Sequence, residues 1–386
     1  MKEVYLDYNG SAPLDPRVAE AMVPILMEGT GNASSTHGFG RRQTARVDEA
    51  RERVAALVGG RPADTVFTAS ATEANNLALR GLMERAPTNR RRIVISAVEH
   101  ASVLRTARWL EDRGLAKLDI IPVTAGGFVD LQALDTLLDI DVQLVSLTAA
   151  NGETGVLNPV REVSERAHSV GALVHSDVTQ FAGRLPFDME RSGADLVSLS
   201  GHKMCGPSGV GALVGTRHSL RRLEPIIHGG GHERGLRSGS LNVAGIAGFG
   251  VAARIAAEDR ECESARVAKL RDRLTAVLKS KLPSVSDIGD VSRRLPNTAN
   301  VLFRGADADA VVINMEPVAV STGSACSSGS IEPSRVLLAM GLSRAAAYEA
   351  VRFSLGRFTT PEDIEAGVER AVAAVEFVRR MTEEVA

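Results

Sequence analysis

Ser200, Gly201, His202 and Lys203 form a short polar turn between two apolar runs, residues 196–199 and 210–214. Each run is rich in Leu or β-branched residues, the pattern of a buried strand, so the turn holds a lone amine at a strand end. With Gly201, Gly206, Pro207 and Gly209 shaping the backbone, that ε-amine is placed to lose solvation and attack a carbonyl. A second nucleophile is Cys326, in the Ser/Gly-rich stretch STGSACSSGS at 321–330, which has no apolar pattern to bury it. An exposed thiol on such a loop is available for chemistry. Taken alone, each has a plainer reading: a surface turn lysine and an incidental loop cysteine.

Polar residues also follow the other predicted strands. Thr68 leads into Ala69, Ser70, Ala71, Thr72 and Glu73, where Ser70 and Glu73 have capping-box spacing and the next helix offers free N–H groups to an anion. Ser96 leads to Glu99 and His100, Thr148 to Asn151, Gly152 and Glu153, and Ser176 to Asp177 and Gln180. In open parallel sheets ligands bind beyond the carboxyl ends of the strands. Five ends thus deliver an anion nest, an imidazole, an amide, a carboxylate and an amine to one crevice. Singly, His100 reads as a structural histidine, Asn151 as a turn residue and Asp177 as a helix cap. Together they match the needs of an aldehyde cofactor with a phosphate and a pyridine nitrogen. The lysine supplies a Schiff base, an acid keeps the ring nitrogen protonated, and a flat side chain stacks on the ring. The set reads as a pyridoxal-phosphate site.

Arg352 alternates with apolar neighbours and is suited to grip a carboxylate bidentately, or else faces water from a strand. The stretch HGGGHERGLRSGS at 228–240 has too many glycines for a regular element. Close approach of its backbone to a ligand or a neighbouring subunit explains them, as does a plain flexible loop. Cys205, behind the lysine turn, and Cys262, on a charged helical face, read as structural or incidental.

The elements that position these groups alternate between strand and helix. Runs at 65–68, 93–96, 143–148 and 172–176 are interleaved with helical patterns from Ala71, from about Ala101 and over 160–170, which predicts a mainly parallel sheet covered by helices. Helices are also expected at 16–27 and 41–58. Near Ala252 the composition shifts, and Leu270, Leu274, Val277 and Leu278 mark a long helix over 254–282 that leads into a second unit. That unit carries strands at 300–303 and 351–354 and a final helix from Pro361. The expected architecture is α/β, with a large mixed-sheet domain at 14–253 and a smaller α+β domain made of 1–13 and 254–386.

At 386 residues, with 44% hydrophobic and 24% charged residues and a formal net charge of −2, the chain has the makeup of an ordinary globular protein with no global attraction to nucleic acid or anionic membrane. The Arg90, Arg91, Arg92 run reads as a solvated strand entrance. No leader or bilayer-spanning run is seen, so the expected location is the cytoplasm. Three scattered cysteines give neither a disulfide framework nor a metal site.

The motifs YLDY at 5–8, Ala71-Thr72-Glu73, Glu99-His100, HSD at 175–177 with Thr179-Gln180, SGHK at 200–203, GGGHERG at 229–235, RSG at 237–239, GSAC at 323–326, EPS at 332–334 and RFSLGRFTT at 352–360 jointly resemble the NifS/IscS-type cysteine desulfurases. These are class V aminotransferase-like enzymes of PLP fold type I, and the similarity covers most of the chain. The resemblance implies that Lys203 bonds pyridoxal 5'-phosphate and His100 stacks on its ring. Asp177 would pair with the ring nitrogen and Gln180 with the phenolic oxygen. Ala71, Thr72, Ser200 and His202 would hold the phosphate, joined by Ser240 from the partner subunit of a homodimer. Arg352 would grip the carboxylate of L-cysteine, Lys203 would move the Cα proton, and Cys326 would take the sulfur. L-alanine would leave, and the Cys326 persulfide would pass its sulfur to an acceptor protein serving iron–sulfur cluster assembly, tRNA thiolation or DNA phosphorothioation.

Four departures stand out. Gly152 replaces the second of two asparagines, so Asn151 substitutes for its cofactor and substrate contact or the contact is lost. Ala69-Ser70 replaces Ser-Gly, and Ser240 stands where threonine is common. The chain also ends soon after its last helix, without the long tail that housekeeping members use toward an iron–sulfur scaffold, which points delivery elsewhere. Transamination and selenocysteine lysis are the alternative reactions, and a catalytically idle partner protein with a structural lysine is the third.

Overall fold

The computed structural model describes residues 3–322 and 332–385. After a two-residue strand, β1 (Val4–Tyr5), the chain builds a seven-stranded sheet from β2 (Thr65–Thr68), β3 (Arg92–Ser96), β4 (Lys117–Ile121), β5 (Val142–Thr148), β6 (Leu173–Asp177), β7 (Leu196–Ser200) and β8 (Gly211–Gly215). Their spatial order is β2-β8-β7-β6-β5-β3-β4. The pairs from β4 through β7 are parallel, whereas β8 runs antiparallel to both β7 and β2. Because β8 reverses between two strands of the same direction, β2 still ends at the edge where β3, β5, β6 and β7 end. Both Thr68 and Ser200 pair with Gly211 there.

Strands covered on both faces must be apolar on both, and β5 is buried throughout. Val145 and Leu147 pack into one core with Val94, Val174 and Val197, while Leu144 packs into the other with Ile93, Ile95 and Leu196. The helices Ala71–Glu84 and Ala101–Asp112 cover the second face, burying Leu77, Ala78, Val103 and Ala107. The helix expected at 41–58 starts earlier, at Gly38, where the His37 ring caps it by accepting from Gly40 N.

Four further strands, β9 (Val285–Asp287), β10 (Thr298–Phe303), β11 (Val318–Ala319) and β12 (Ala350–Ser354), form an antiparallel sheet of order β12-β10-β9 and a parallel β1-β11 pair. They enclose a separate core with Leu6, Phe303, Phe353, Ile364 and Val375. The long helix begins at Val243 rather than Arg254 and runs unbroken to Lys281. Ile246, Phe249 and Ala256 pack in the first core, whereas Val267, Leu270, Leu274 and Leu278 pack in the second. The division expected between residues 253 and 254 therefore falls inside one continuous rod, about 58 Å long.

Candidate active site

Lys203 lies in the single-turn helix Gly201–Met204 that follows β7. A Cβ at Gly201 would stand 2.9 Å from Pro207 O, so the turn is open only to glycine there. The Lys203 amine donates to the carbonyls of Asn9 and Gly10, at 2.6 Å each. Gln180 Nε2 also donates to Asn9 O (3.0 Å), while its buried Oε1 has no hydrogen-bond partner among the described residues. Asn9 holds this meeting point with its side chain as well: Nδ2 donates to Gly152 O (3.0 Å) and to Thr298 Oγ1 (2.8 Å), and Oδ1 accepts from Asn297 (3.0 Å).

Asp177 ends β6 and is buried. Its Oδ1 accepts from Thr179 N (3.0 Å) and its Oδ2 from Asn75 Nδ2 (2.9 Å). His100 caps the Ala101–Asp112 helix through Nδ1, which accepts from Ser102 N at 3.1 Å. Its outer face is open, yet the dense surroundings desolvate the ring and hold its pKa below the ordinary value; Asp177 opposes this, and Lys203 and Arg335 add to it.

Ala71 and Thr72 open the Ala71–Glu84 helix, capped by Ser70 Oγ accepting from Glu73 N (3.2 Å) and by Glu73 accepting from Ala69 N (2.7 Å). A Cβ at Gly211 would come within 2.5 Å of the Ser70 carbonyl carbon, so glycine lets β8 run directly under this helix end. His202 Nδ1 lies 3.1 Å from Ser200 Oγ, and burial, reinforced by Lys203, pushes its pKa down to about 4. A helix N-terminus, a hydroxyl and a neutral imidazole form a seat for an anion. With the Asp177 carboxylate, the open His100 face, the Lys203 amine and the orphaned Gln180 oxygen, the donor set fits a flat cofactor with a phosphate tail.

Arg352 on β12 donates to Asp7 Oδ1 (2.6 Å) and Gly152 O (3.1 Å), and its buried Nε has no hydrogen-bond partner among the described residues. Asn151 is largely spent within its own loop, where Oδ1 accepts from Glu153 N and Thr154 N (2.9 Å each) and Nδ2 donates to Val98 O (3.0 Å). One Nδ2 hydrogen remains for anything else. A Cβ at Gly152 would lie 3.3 Å from Gln180 Nε2, so this residue leaves space against that amide.

Ser240 is exposed and shares a shallow concavity with Thr68, Ala69, Arg237 and Asn242. Its glycine-rich segment is no free loop. Glu233 is buried in it, accepting from Arg51 Nη1 (2.6 Å), Arg51 Nη2 (2.7 Å) and Phe67 N (2.7 Å).

Cys326 lies outside the described residues. Both flanks of its segment are tied to the site. Ser321 exchanges backbone hydrogen bonds with Arg352, at 3.2 and 2.7 Å. Ser334 Oγ donates to Glu153, and Arg335 donates to Ala97 O (2.8 Å) and Glu99 O (2.6 Å). Of the other two thiols, Cys262 is exposed, and Cys205 is buried, with its pKa pushed up to about 11 by desolvation. Glu99, fully buried, accepts from Ser96 Oγ (2.7 Å) and Thr148 N (2.6 Å); desolvation, assisted by Asp177, raises its pKa to about 8. It is therefore a neutral acid at pH 7.

Sequence reasoning missed Asn9, Asn75, Ser102 and Arg335. Only Asn9 carried a usable signal, as part of a polar turn directly after an apolar strand.

The aminotransferase class-V family model matches residues 4–366. A cysteine desulfurase of Frankia sp. (strain EuIK1) is 46% identical, with the match covering 98% of this chain and 93% of the relative. The solved structure of a NifS-like protein superposes with a TM-score of 0.91 at 34% identity, covering 97% of this chain and all of that one. A structure titled SspA in complex with cysteine matches with a TM-score of 0.82 at 31% identity, over 92% of this chain and 100% of the other.

Proposed function

Since this chain belongs to the cysteine desulfurase branch of the class-V aminotransferase family, we propose that it removes the sulfur of L-cysteine with pyridoxal 5'-phosphate, releasing L-alanine and keeping the sulfur as a persulfide on Cys326. The observation that carries this reading is the meeting of Lys203, Gln180 and Arg352 around Asn9 and Gly152, although they come from far apart in the chain.

The bound cofactor supplies an electron-withdrawing ring that takes up the charge left when the substrate's Cα–H bond breaks. Lys203 would anchor it, with Ala71, Thr72, Ser200 and His202 holding its phosphate, His100 stacking on its ring, Asp177 pairing with the ring nitrogen and Gln180 with the phenolic oxygen. The Lys203 amine, within reach of the carbonyls of Asn9 and Gly10, would move the substrate's Cα proton. Arg352 takes the substrate carboxylate by exchanging it for Asp7. The Cys326 thiolate then attacks the substrate sulfur; the S–S bond forms, the Cβ–S bond breaks, and protonation of the carbon fragment completes alanine. A neutral Glu99 between Ser96 and Thr148 keeps a second negative charge away from Asp177.

The same reading makes the working unit a homodimer in which Ser240 reaches the partner's phosphate seat. Exposed Val23, Leu26, Met27 and Phe39 support it as an apolar surface suited to burial. The persulfide is handed to an acceptor protein in the cytoplasm. No helix among the described residues is long and apolar enough to cross a membrane.

The test is alanine and sulfane sulfur formed from L-cysteine by the purified protein. Cys326→Ser must lose both while retaining the cofactor's absorption band, and Lys203→Ala must lose the band. Wild-type protein that binds cofactor but leaves cysteine intact would reject the reading. Turnover of an amino acid without need of Cys326 would indicate transamination or selenocysteine lysis instead.

A further inference from the structure

Behind the crevice a continuous polar path joins two of the proposed cofactor contacts. Asn75 Nδ2 donates to Asp177 Oδ2 (2.9 Å) and to Ser102 Oγ (2.9 Å), and Ser102 Oγ lies 2.7 Å from His100 Nδ1. Asn75 is fully buried and Ser102 nearly so, which shields the path from water.

The direction of each proton follows from what these groups can give and take. A carboxamide nitrogen has two hydrogens and accepts nothing, so one nitrogen serves both Asp177 and Ser102. The opposite amide orientation would set Asn75 Oδ1 against a carboxylate, so the network assigns the rotamer. Ser102 Oγ accepts from Asn75 with one lone pair and has a single hydrogen to give, so its direction toward His100 is fixed by whether Nδ1 is itself an acceptor. The backbone N–H of Ser102 points to the same nitrogen, at 3.1 Å. With two donors aimed at it, Nδ1 carries no proton.

We propose that Asn75 and Ser102 are positioning residues that set the proton arrangement of the site. One amide stabilises Asp177 as a carboxylate and, through the Ser102 hydroxyl, holds His100 as the neutral tautomer with its hydrogen on Nε2. The imidazole then presents a donor to the crevice and cannot act as a base through Nδ1. The charged groups that face His100 are Asp177 from β6, Lys203 from the turn after β7 and Arg335 from the helix Arg335–Ala339; Glu99 and His175 face Asp177. The consequence for turnover rests on the desulfurase reading, whereas the proton path does not.

The experiment follows His100 by nitrogen NMR of histidine-labelled protein, with and without pyridoxal 5'-phosphate, its signals assigned from their loss in His100→Gln. The wild-type ring is expected as the Nε2–H tautomer at neutral pH. Asn75→Leu removes the donor that orients the Ser102 hydroxyl toward Nδ1, so the His100 Nδ1 signal is expected to move although residue 75 does not touch it. Ser102→Ala must itself move the His100 signals and must abolish the further effect of Asn75→Leu, as a double-mutant cycle reports; Ser102→Thr restores the wild-type state. Turnover in Asn75→Leu should fall about tenfold at unchanged KM, by analogy with the loss of the outer hydrogen-bond partner of a metal-bound histidine. His100 signals unmoved by Ser102→Ala, or an Asn75→Leu shift of equal size with and without the hydroxyl, would overturn the proposal. A chain inert toward cysteine leaves the NMR result decisive, which separates this inference from the reaction assignment.

Discussion

Replacing Glu99 with Gln isolates a carboxyl whose pKa the fold raises by burying it. Its two acceptor contacts, from Ser96 Oγ and Thr148 N, are kept by the Gln carbonyl, and the new NH2 takes the place of Oε2, which has no partner among the described residues. In the unfolded chain a glutamate titrates near pH 4.3, whereas in the folded chain Glu99 holds its proton up to about pH 8. The native state thus binds a proton that the unfolded state lacks. Stability from this group is fully present below the unfolded pKa and is lost as pH rises through the folded one. Over that window the slope is about 1.4 kcal/mol per pH unit, so wild type should lose about 3 kcal/mol relative to Glu99→Gln between pH 5 and pH 7. Urea unfolding of both proteins at the two pH values measures the difference, and comparison at each pH cancels the other titrating groups. Parallel pH dependence in the two proteins would refute the claim that Glu99 is buried uncharged.

Three other substitutions have defined outcomes. Glu233→Ala leaves the buried Arg51 without its bidentate partner, with only Thr65 O and the exposed Asp48 at 4.0 Å remaining, and strips an acceptor from Phe67 N, so unfolding free energy should fall by about 3 kcal/mol, measured in urea. Gly211→Ala forces β8 away from the first turn of the Ala71–Glu84 helix, and cofactor retention, followed by absorbance after gel filtration, should fall while the far-UV spectrum stays native. Cys205→Ala should keep persulfide formation intact in a sulfane-sulfur assay, because a buried thiol with a pKa near 11 is not a nucleophile at neutral pH.

The strand ends and the lysine turn were legible in the sequence because short apolar runs that stop at polar residues leave few other structures open. Asp177 and Ser200 end β6 and β7 as that pattern requires. The reversal of β8 was not legible, since the direction of a four- or five-residue strand leaves no mark on its composition. The start of the long helix was also missed. Gly245, Gly248 and Gly250 argue against helix locally, yet a Cβ at Gly250 would meet Ala50 at 2.5 Å, so close packing against the Gly38–Leu57 helix selects glycine there. Asn75 escaped notice because a polar residue inside a helix looks like a solvated face, and only the fold shows it wholly buried between Asp177 and Ser102. Asn9 stood out only as part of a polar turn after an apolar run, and its meeting with Lys203 and Gln180 through a backbone carbonyl, an atom every residue has, is visible only in three dimensions.

The central claim is that an amine at position 203 and a thiol at position 326 work on the same bound amino acid. Mass analysis of the peptide containing Cys326, after a single turnover of cofactor-loaded protein with L-cysteine, tests it directly. The account predicts one added sulfur atom on that peptide, removed by a thiol reductant and absent in Lys203→Ala. An unmodified Cys326 peptide in protein that has released alanine would contradict it.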